Sequence, residues 1–332
     1  MALGEGPVAE VSFDLEKMIF AKNLSDSTNE KHIFVSGLAR AGTTILMQSL
    51  YQTQEFASLT YRDMPFVLAP NLWDKITQFS RREKIAQNRA HGDGQEIHFD
   101  APEALDEIFW KTFCQDQYIK KNSLIPMQAD AKTLDEFRTY ISLILLRYGK
   151  RRYLSKNNNS VLRLPSLCKA FPHGQILVPF RNPFQQAASL FEQHQRFLQI
   201  HKEDPFTFKY MTWLAHHEFG SHHRPFVFRP DSTFSFTPDQ LDYWLELWIH
   251  SYRFLLDQFQ NGVPLMFINF ENLCQNPDET LRNLFERLDL TYSPKIAENI
   301  RPPKSKEDLP FQDESLTLKA QDLFQELCSS SL

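Results

Sequence analysis

The sequence has few cysteines, and their spacing argues against both a disulfide framework and a zinc site. Its 332 residues contain only four, at positions 114, 168, 274 and 328, and no two of them form a CxxC pair. Cysteines this far apart in a chain this long do not build a disulfide framework or a zinc site of ordinary spacing. We therefore expect reduced thiols in a cytoplasmic protein.

Long apolar runs and an excess of positive charge are also missing. No run approaches the roughly 18 apolar residues of a membrane span, and residues 1–17 lack the basic start and apolar stretch of a signal peptide. The formal net charge is −5, from 36 basic and 41 acidic side chains. This balance argues against a general nucleic-acid-binding protein but is compatible with a local basic pocket.

Short apolar runs separated by helical patterns indicate the fold class. Three runs are too short for helices and are predicted as buried strands: Ile33–Val35, Ile176–Val178 and Leu265–Ile268. Helices are predicted after each of them, from Thr43 to about Tyr51, from about Pro183, and from Pro277 behind an Asn276 N-cap. This alternation predicts an α/β fold with a mostly parallel, P-loop-type sheet flanked by helices.

The domain organisation predicted from these patterns is simple. Residues 1–30 are expected to form an N-terminal arm, and residues 31–332 a single α/β domain. Helical insertions are expected at about 60–150 and 192–260, and the part between 200 and 235 is expected to be irregular. Residues 60–150 and 192–240 are the expected walls of an acceptor site.

A glycine-containing loop follows the first predicted strand. Gly37 and Gly42 have the spacing of a Walker A motif, but Thr43 stands where that motif requires lysine. The free N–H groups at the start of a helix bind anions, and the helix dipole favours negative charge there. Without the lysine a triphosphate is disfavoured, whereas Arg40 inside the loop would complement a second anionic group.

A second basic residue stands at the end of the second predicted strand. Arg181 ends that strand, Pro183 opens the next helix, and Ser189 lies nearly two turns along it. In open α/β sheets, ligands bind at the carboxyl ends of the strands. Arg181 therefore stands where a ligand would bind, although a surface cap or a salt bridge is the alternative role of an arginine taken alone.

These segments resemble the PAPS-dependent sulfotransferase family, in which PAPS is 3′-phosphoadenosine-5′-phosphosulfate. Residues 40–44 match that family's [KR]-x-G-T-T loop, and residues 181–189 match its R-[DN]-P-x₅-S element. Phe270–Leu273, with the Leu281–Leu288 helix, is similar to a third element. Arg40 in place of lysine, and Ile45 in place of an adenine-stacking tryptophan, are typical of the branch with tyrosylprotein, carbohydrate and bacterial enzymes.

The resemblance implies a function and a set of donor-binding residues. The protein would transfer a sulfuryl group from PAPS, in line, to a hydroxyl of a carbohydrate, glycolipid, aromatic metabolite or tyrosine, leaving 3′,5′-adenosine bisphosphate (PAP). No metal is expected. The residues implied to bind the 5′-phosphosulfate are Arg40, Ala41, Gly42, Thr43 and Thr44. Arg181 and Ser189 are implied to hold the 3′-phosphate.

Three residues are implied to act on the reacting atoms. Arg40 would stabilise the bridging oxygen as negative charge develops. Lys156 resembles a pre-strand lysine that assists the leaving sulfate oxygens, although a solvated loop lysine is the alternative. Asp63 is the candidate general base, since an acidic residue precedes an apolar-proline segment in the tyrosine-sulfating relatives; pairing with Arg62 or helix capping is its alternative role.

Other patterns are expected to be structural. The histidines between His216 and His223 lack a metal-binding arrangement and are predicted to lie in an acceptor-side loop. The Arg301–Lys306 segment, which includes Lys304, is interpreted as a solvated basic loop, and Trp244 and Trp248 as core residues.

Two competing functions remain open from the sequence, together with the oligomeric state. One is a P-loop nucleotide or small-molecule kinase with a degenerate Walker A motif, which would require ATP and magnesium. The other is a non-catalytic nucleotide-binding protein with the same fold. The first has no obvious role for Arg181 and Ser189, and the second none for Arg40, Asp63 and Lys156.

Overall fold

The computed structural model describes residues 6–78, 90–91, 95–96, 105–298, 300–301, 306 and 309–332. The strands are β1 (Ile33–Val35), β2 (Phe56–Ala57), β3 (Ala90–His91), β4 (Gln95–Glu96), β5 (Arg152–Lys156), β6 (Gln175–Phe180) and β7 (Leu265–Asn269). The helices are α1 (Gly6–Phe20), α2 (Thr43–Tyr51), α3 (Pro70–Gln78), α4 (Glu107–Tyr118), α5 (Ala131–Tyr148), α6 (Leu164–Ala170), α7 (Pro183–Glu203), α8 (Pro205–Trp213), α9 (Leu241–Gln260), α10 (Phe270–Gln275), α11 (Pro277–Arg287) and α12 (Glu314–Ser329).

A five-stranded parallel sheet forms the centre of the fold, in the order β2-β5-β1-β6-β7. The expected α/β class is confirmed, and the three predicted strands are present. The edge strand β2 and the strand β5 were not predicted; β5 begins at Arg152 and ends at Lys156, so its apolar signal is short. The short strands β3 and β4 form a separate antiparallel pair.

The register of the sheet aligns the strand ends that matter for function. Val35, the last residue of β1, pairs with Lys156, the last residue of β5. Asn269, the last residue of β7, pairs with Phe180, which directly precedes Arg181. Because all five strands are parallel, the segments that follow them leave the sheet along the same edge.

The N-terminal segment is more than the peripheral arm expected from the sequence. Helix α1 buries Phe13 completely within the main core. Its buried Glu16 accepts hydrogen bonds from the backbone N–H groups of Asn71 (2.8 Å) and Leu72 (2.9 Å), in the first turn of α3. A carboxylate that satisfies the open end of another helix ties α1 to the domain.

Two local expectations are confirmed only in part. The stretch between 200 and 235 is not wholly irregular, since α7 continues to Glu203 and α8 follows at once, capped by Asp204. Asn276 precedes α11 as predicted, but its side chain does not cap that helix. Its backbone N–H instead donates to Asn272 O at the end of α10, so the preceding helix determines its conformation. Within the described ranges, no helix combines the length and apolarity needed to cross a bilayer.

Candidate active site

The loop of residues 36–42, here named the glycine loop, is held between two strand ends. Ser36 N donates to Leu177 O in β6, and Ser36 Oγ donates to Asn157 O just beyond β5, both at 2.9 Å. Gly42 has a φ of 91°, and a Cβ added there would lie 2.3 Å from Cδ2 of Phe270. Glycine is therefore required at position 42 by backbone conformation and by close packing.

Helix α2 starts directly from this loop. Its N-cap is Gly42, which has no side chain to satisfy the N–H groups of the first turn. Those groups carry the positive end of the helix dipole. Thr43 is buried and Thr44 is half-buried at the same point, and Ala41 is buried behind them. This arrangement is suited to an anionic group beside the loop.

A hydrogen bond joins the two basic motifs predicted from the sequence. Arg40 Nε donates to Ser189 Oγ at 3.1 Å, although the two residues are 149 positions apart. Arg40 has a φ of 67°, in the left-handed region that non-glycine residues adopt rarely. Backbone conformations of this kind cluster at active sites and ligand-binding loops.

Arg181 lies next to this pair. Its guanidinium stands 5.3 Å from the centre of the Phe270 ring, and its Nε is 4.0 Å from Glu271 Oε1. Burial lowers the pKa of Arg181, the Glu271 charge counteracts this, and the charge of Arg40 lowers the pKa further. The structure thus brings the two arginines within electrostatic range of each other.

The donors of Arg181 fit an anionic ligand. The side chain is only 10% exposed, and its buried Nε has no hydrogen-bond partner among the described residues. A buried donor left unpaired costs about 1–3 kcal/mol, which a phosphate oxygen would remove. The same arginine offers further donors in a planar fork that matches phosphate geometry.

The third motif packs against the second. Glu271 Oε1 accepts a hydrogen bond from Asn182 N at 3.0 Å, and Asn182 Oδ1 caps α7 through Phe184 N at 3.1 Å. The Phe270 ring lies between Gly42 and Arg181. The sequence indicated only that residues 270–273 resemble a third family element, and it did not place Phe270 or Glu271 in the site.

Gln186 is a positioning residue that sequence reasoning missed. It is fully buried, and its Nε2 donates to Ala39 O at 2.9 Å, directly before Arg40. Trp248 Nε1 donates to Gln186 Oε1 at 3.0 Å, so the predicted core role of Trp248 is confirmed. The spacing of Gln186 and Ser189, one helical turn apart on α7, was the available signal.

The end of β5 rests on a buried polar network that the sequence did not reveal. Asn157 Nδ2 donates to Glu107 Oε2 at 2.8 Å, and Arg163 Nη2 donates to both oxygens of Glu107 at 3.0 and 2.9 Å. Ser155 Oγ donates to Asp106 Oδ2 at 2.7 Å. Burial raises the pKa of Asp106 to about 6. This network holds the segment that carries Lys156.

Lys156 is half-buried beside an acidic residue from a distant loop. Its positive charge is one of the influences that lower the pKa of Glu218. Asn158 Nδ2 donates to Glu218 Oε1 at 3.2 Å. The sequence placed residues 216–223 in an acceptor-side loop but assigned no role to Glu218.

Asp63 lies beyond the edge strand β2, and its carboxylate is occupied. Asp63 Oδ2 accepts from Thr60 N at 2.8 Å and from Tyr148 OH at 2.5 Å, and the side chain is 1% exposed. Burial raises the pKa of Asp63, while the Tyr148 hydrogen bond opposes the rise. The carboxylate closes a capping box with Thr60 around the turn Tyr61–Asp63, one of the alternative roles considered from the sequence.

The histidine-rich loop and the late basic segment make local contacts. His223 binds Glu218 O through Nδ1 and Tyr243 OH through Nε2, both at 2.7 Å. Among the described residues, no three His, Cys, Asp or Glu side chains gather in a metal-binding arrangement. Lys306 exchanges backbone hydrogen bonds with the Gln185 side chain and pairs with Glu192. Lys304 lies outside the described residues.

Comparisons with known proteins agree with this geometry. The profile of the Sulfotransferase family matches residues 32–294, while a search of curated protein sequences gives no match. Among solved structures, sulfotransferase STF9 from Mycobacterium avium superposes with a TM-score of 0.53 at 14% identity, covering 97% of this chain and 83% of the other. Sulfotransferase STF1 from Mycobacterium tuberculosis gives 0.51 at 14%, covering 96% and 83%. At this identity the two structures support the fold alone.

Proposed function

This chain belongs to the sulfotransferase family, and on that premise we propose that it transfers a sulfuryl group from PAPS to an acceptor hydroxyl. The observation that supports PAPS as the donor is the hydrogen bond between Arg40 and Ser189, with Arg181 beside them. Two arginines and a hydroxyl, from two segments distant in the chain, lie together at one edge of the sheet. Such a pair of anion sites suits a nucleotide with phosphate at two positions.

We assign the two ends of the donor to different strand ends. Residues 40–44 would bind the 5′-phosphosulfate through the start of α2, and Arg181 and Ser189 would bind the 3′-phosphate. The strand order then runs from β7 and β6 at the 3′-phosphate to β1 at the sulfuryl group. The acceptor would enter from the side of β5 and β2, where Lys156 and Asp63 lie.

The transfer itself is an in-line displacement. The acceptor oxygen forms a new S–O bond, the S–O bond to the 5′-phosphate breaks, and PAP leaves with the electron pair of that bond. Arg40 and Lys156 would stabilise the charge that develops on the leaving and transferring oxygens, a task that fixed cations perform without reorganisation. The acceptor proton must pass to a base; Asp63 remains the sequence-based prediction for that base.

Binding experiments test the donor assignment. Calorimetric titration should show binding of PAP in preference to ATP, with no requirement for magnesium. Arg181→Met should weaken PAP binding about 10- to 100-fold, since hydrogen bonds to charged groups contribute about 1.5–3 kcal/mol. Arg282→Met, which removes an exposed arginine paired with Asp278 on α11, is the matched control and should leave PAP affinity unchanged.

The result also decides between the competing functions. Tighter binding of ATP than of PAP, or a magnesium requirement, would favour the kinase and refute the donor assignment. PAP binding without any transfer of labelled sulfate from PAPS, to sugar, glycolipid, phenolic or tyrosyl hydroxyls or to water, would favour the non-catalytic protein.

A further inference from the structure

A carboxylate and an imidazole from one loop lie beside the segment that follows β5. The loop of residues 214–224, here named the histidine loop, follows α8 and carries His216 and Glu218. Glu218 is held at two points, because its Oε1 accepts from Asn158 Nδ2 at 3.2 Å and its backbone oxygen binds His223 Nδ1 at 2.7 Å. The side chain of Glu218 is therefore positioned rather than solvated.

The position of Glu218 is tied to the glycine loop. Asn158 lies two residues beyond Lys156, and Ser36 Oγ, at the start of the glycine loop, donates to Asn157 O at 2.9 Å. A short series of contacts thus runs from Ser36 through residues 157–158 to Glu218. The charge of Lys156 acts on Glu218 as well. The carboxylate consequently lies near the group expected to contact the transferring sulfuryl oxygens.

His216 faces this carboxylate. Its Nδ1 is 3.5 Å from Glu218 Oε2, and the two side chains are 29% and 15% exposed. Burial opposes ionisation of Glu218, but the charge and hydrogen bond of His216, with a smaller influence of Lys156, lower its pKa to about 2. Glu218 therefore stays ionised and is itself a weak base. A carboxylate in this position orients an imidazole and stabilises its protonated form.

Asp63, the base predicted from the sequence, is less accessible to an acceptor than His216 and Glu218. Asp63 is 1% exposed, and its Oδ2 is bonded to Thr60 and Tyr148. An acceptor hydroxyl must come within about 3 Å of the group that takes its proton. The half-buried His216 meets that condition more readily than the enclosed Asp63.

On the premise that the chain transfers sulfuryl groups, we propose that His216 is the general base and that Glu218 is its positioning residue. The acceptor O–H bond breaks, its proton moves to His216 Nε2, and the oxygen electron pair forms the S–O bond while PAP departs. Nδ1 keeps its hydrogen toward Glu218, which balances the charge of the imidazolium. The proton then returns to solvent, and no co-reactant besides PAPS is needed. Asp63 supports the turn after β2.

Two phenols of different acidity test the role of His216. At mildly alkaline pH 4-nitrophenol is largely ionised and needs no base, whereas phenol keeps its proton. His216→Gln should lower transfer from PAPS to phenol about 100-fold or more, the usual contribution of general base catalysis, and should affect 4-nitrophenol far less. Hydrolysis of labelled PAPS, in which water is the acceptor, should fall in His216→Gln as transfer to phenol does. This assay replaces the phenol assay if the acceptor site does not admit phenols.

Glu218 is tested by the pH profile. Removing the carboxylate destabilises the imidazolium, so Glu218→Gln should move the acidic limb of the rate profile to lower pH. A residue that only supported the fold would lower the rate without moving that limb. His173→Gln, an exposed histidine before the amino end of β6, is the matched control and should leave rate and profile unchanged.

PAP titration separates failure of this assignment from failure of the proposed function. If PAP does not bind the parent protein, the donor assignment is wrong. If PAP binds equally well to parent and His216→Gln while both phenols, or PAPS hydrolysis, keep their parent rates, His216 is not the base. Equal losses with phenol and 4-nitrophenol would overturn the role in the same way. If phenol transfer is lost in Asp63→Asn but not in His216→Gln, and Asp63→Asn unfolds in urea as the parent does, the general base is Asp63.

Discussion

Replacing Gly42 by alanine tests whether the contact between Gly42 and the Phe270 ring couples the glycine loop to the anion site at Arg181. An added Cβ would lie 2.3 and 2.6 Å from two carbons of the Phe270 ring, whereas carbon atoms normally pack about 3.5–4.0 Å apart. The ring must therefore move by roughly 1 Å or more. Because Arg181 stands over the same ring, the substitution should disturb both the glycine loop and the second anion site.

The expected magnitude has two parts. The left-handed backbone at position 42, with a φ of 91°, costs alanine about 1–2 kcal/mol. Overpacking against Phe270 adds about 1–3 kcal/mol. Urea unfolding should therefore show Gly42→Ala destabilised by roughly 2–5 kcal/mol, and PAP affinity should fall at least tenfold.

Gly262 provides a matched control. Its φ is 87°, and a Cβ there meets nothing within 4 Å. Gly262→Ala should thus lose only the backbone part, about 1–2 kcal/mol, with unchanged PAP affinity. If Gly42→Ala is no less stable than Gly262→Ala and binds PAP normally, the contact with Phe270 does not constrain the site. Phe270→Leu in the Gly42→Ala background should recover part of the stability, since it removes the clashing ring atoms.

Two further predictions concern buried charge. Arg163→Met removes the cation that pairs with the buried Glu107, so urea unfolding should show a loss of about 3–5 kcal/mol, since breaking a buried ion pair leaves one partner uncompensated. Adding Glu107→Gln should recover part of that loss, and no recovery would contradict the charge explanation. The pKa of His32 is lowered by burial to about 4, and its Nδ1 accepts from Tyr153 N at 2.9 Å. The contribution of the neutral His32 to the free energy of unfolding should be fully present above pH 6.5 and should be lost as the pH drops toward about 4. The free energy of unfolding should therefore depend less steeply on pH in His32→Gln, and an unchanged pH dependence would refute this.

Much of the donor side of the candidate site was predictable from local sequence. Loop residues Gly37 and Gly42, the strand-terminal Arg181 and the helix-opening Pro183 are determined by backbone conformation and by the chemistry of helix starts, which act over a few residues. The three strands with an apolar run of at least three residues were predictable for the same reason, because burial on both faces leaves a continuous apolar run. Strand β5 is flanked by polar residues and lacks that signal.

The acceptor side depends on contacts between residues distant in the chain. Nothing near Glu218 in the sequence indicates Asn158 or Lys156 as its neighbours, and nothing near Asp63 indicates Tyr148. Whether a carboxylate is accessible or enclosed is a property of packing, so the sequence that made Asp63 the predicted base could not show that its side chain is buried.

The sequence by itself determined the fold class, the family and the residues proposed to bind the donor, since these follow from periodicity and from motifs of a few residues. Only the tertiary structure decided that Arg40 reaches Ser189, that Phe270 separates Gly42 from Arg181, and that Asp63 is enclosed while His216 is half-buried beside Glu218. Those relations arise where parallel strands end side by side, and the order of strands in a sheet is not written in any local stretch of sequence.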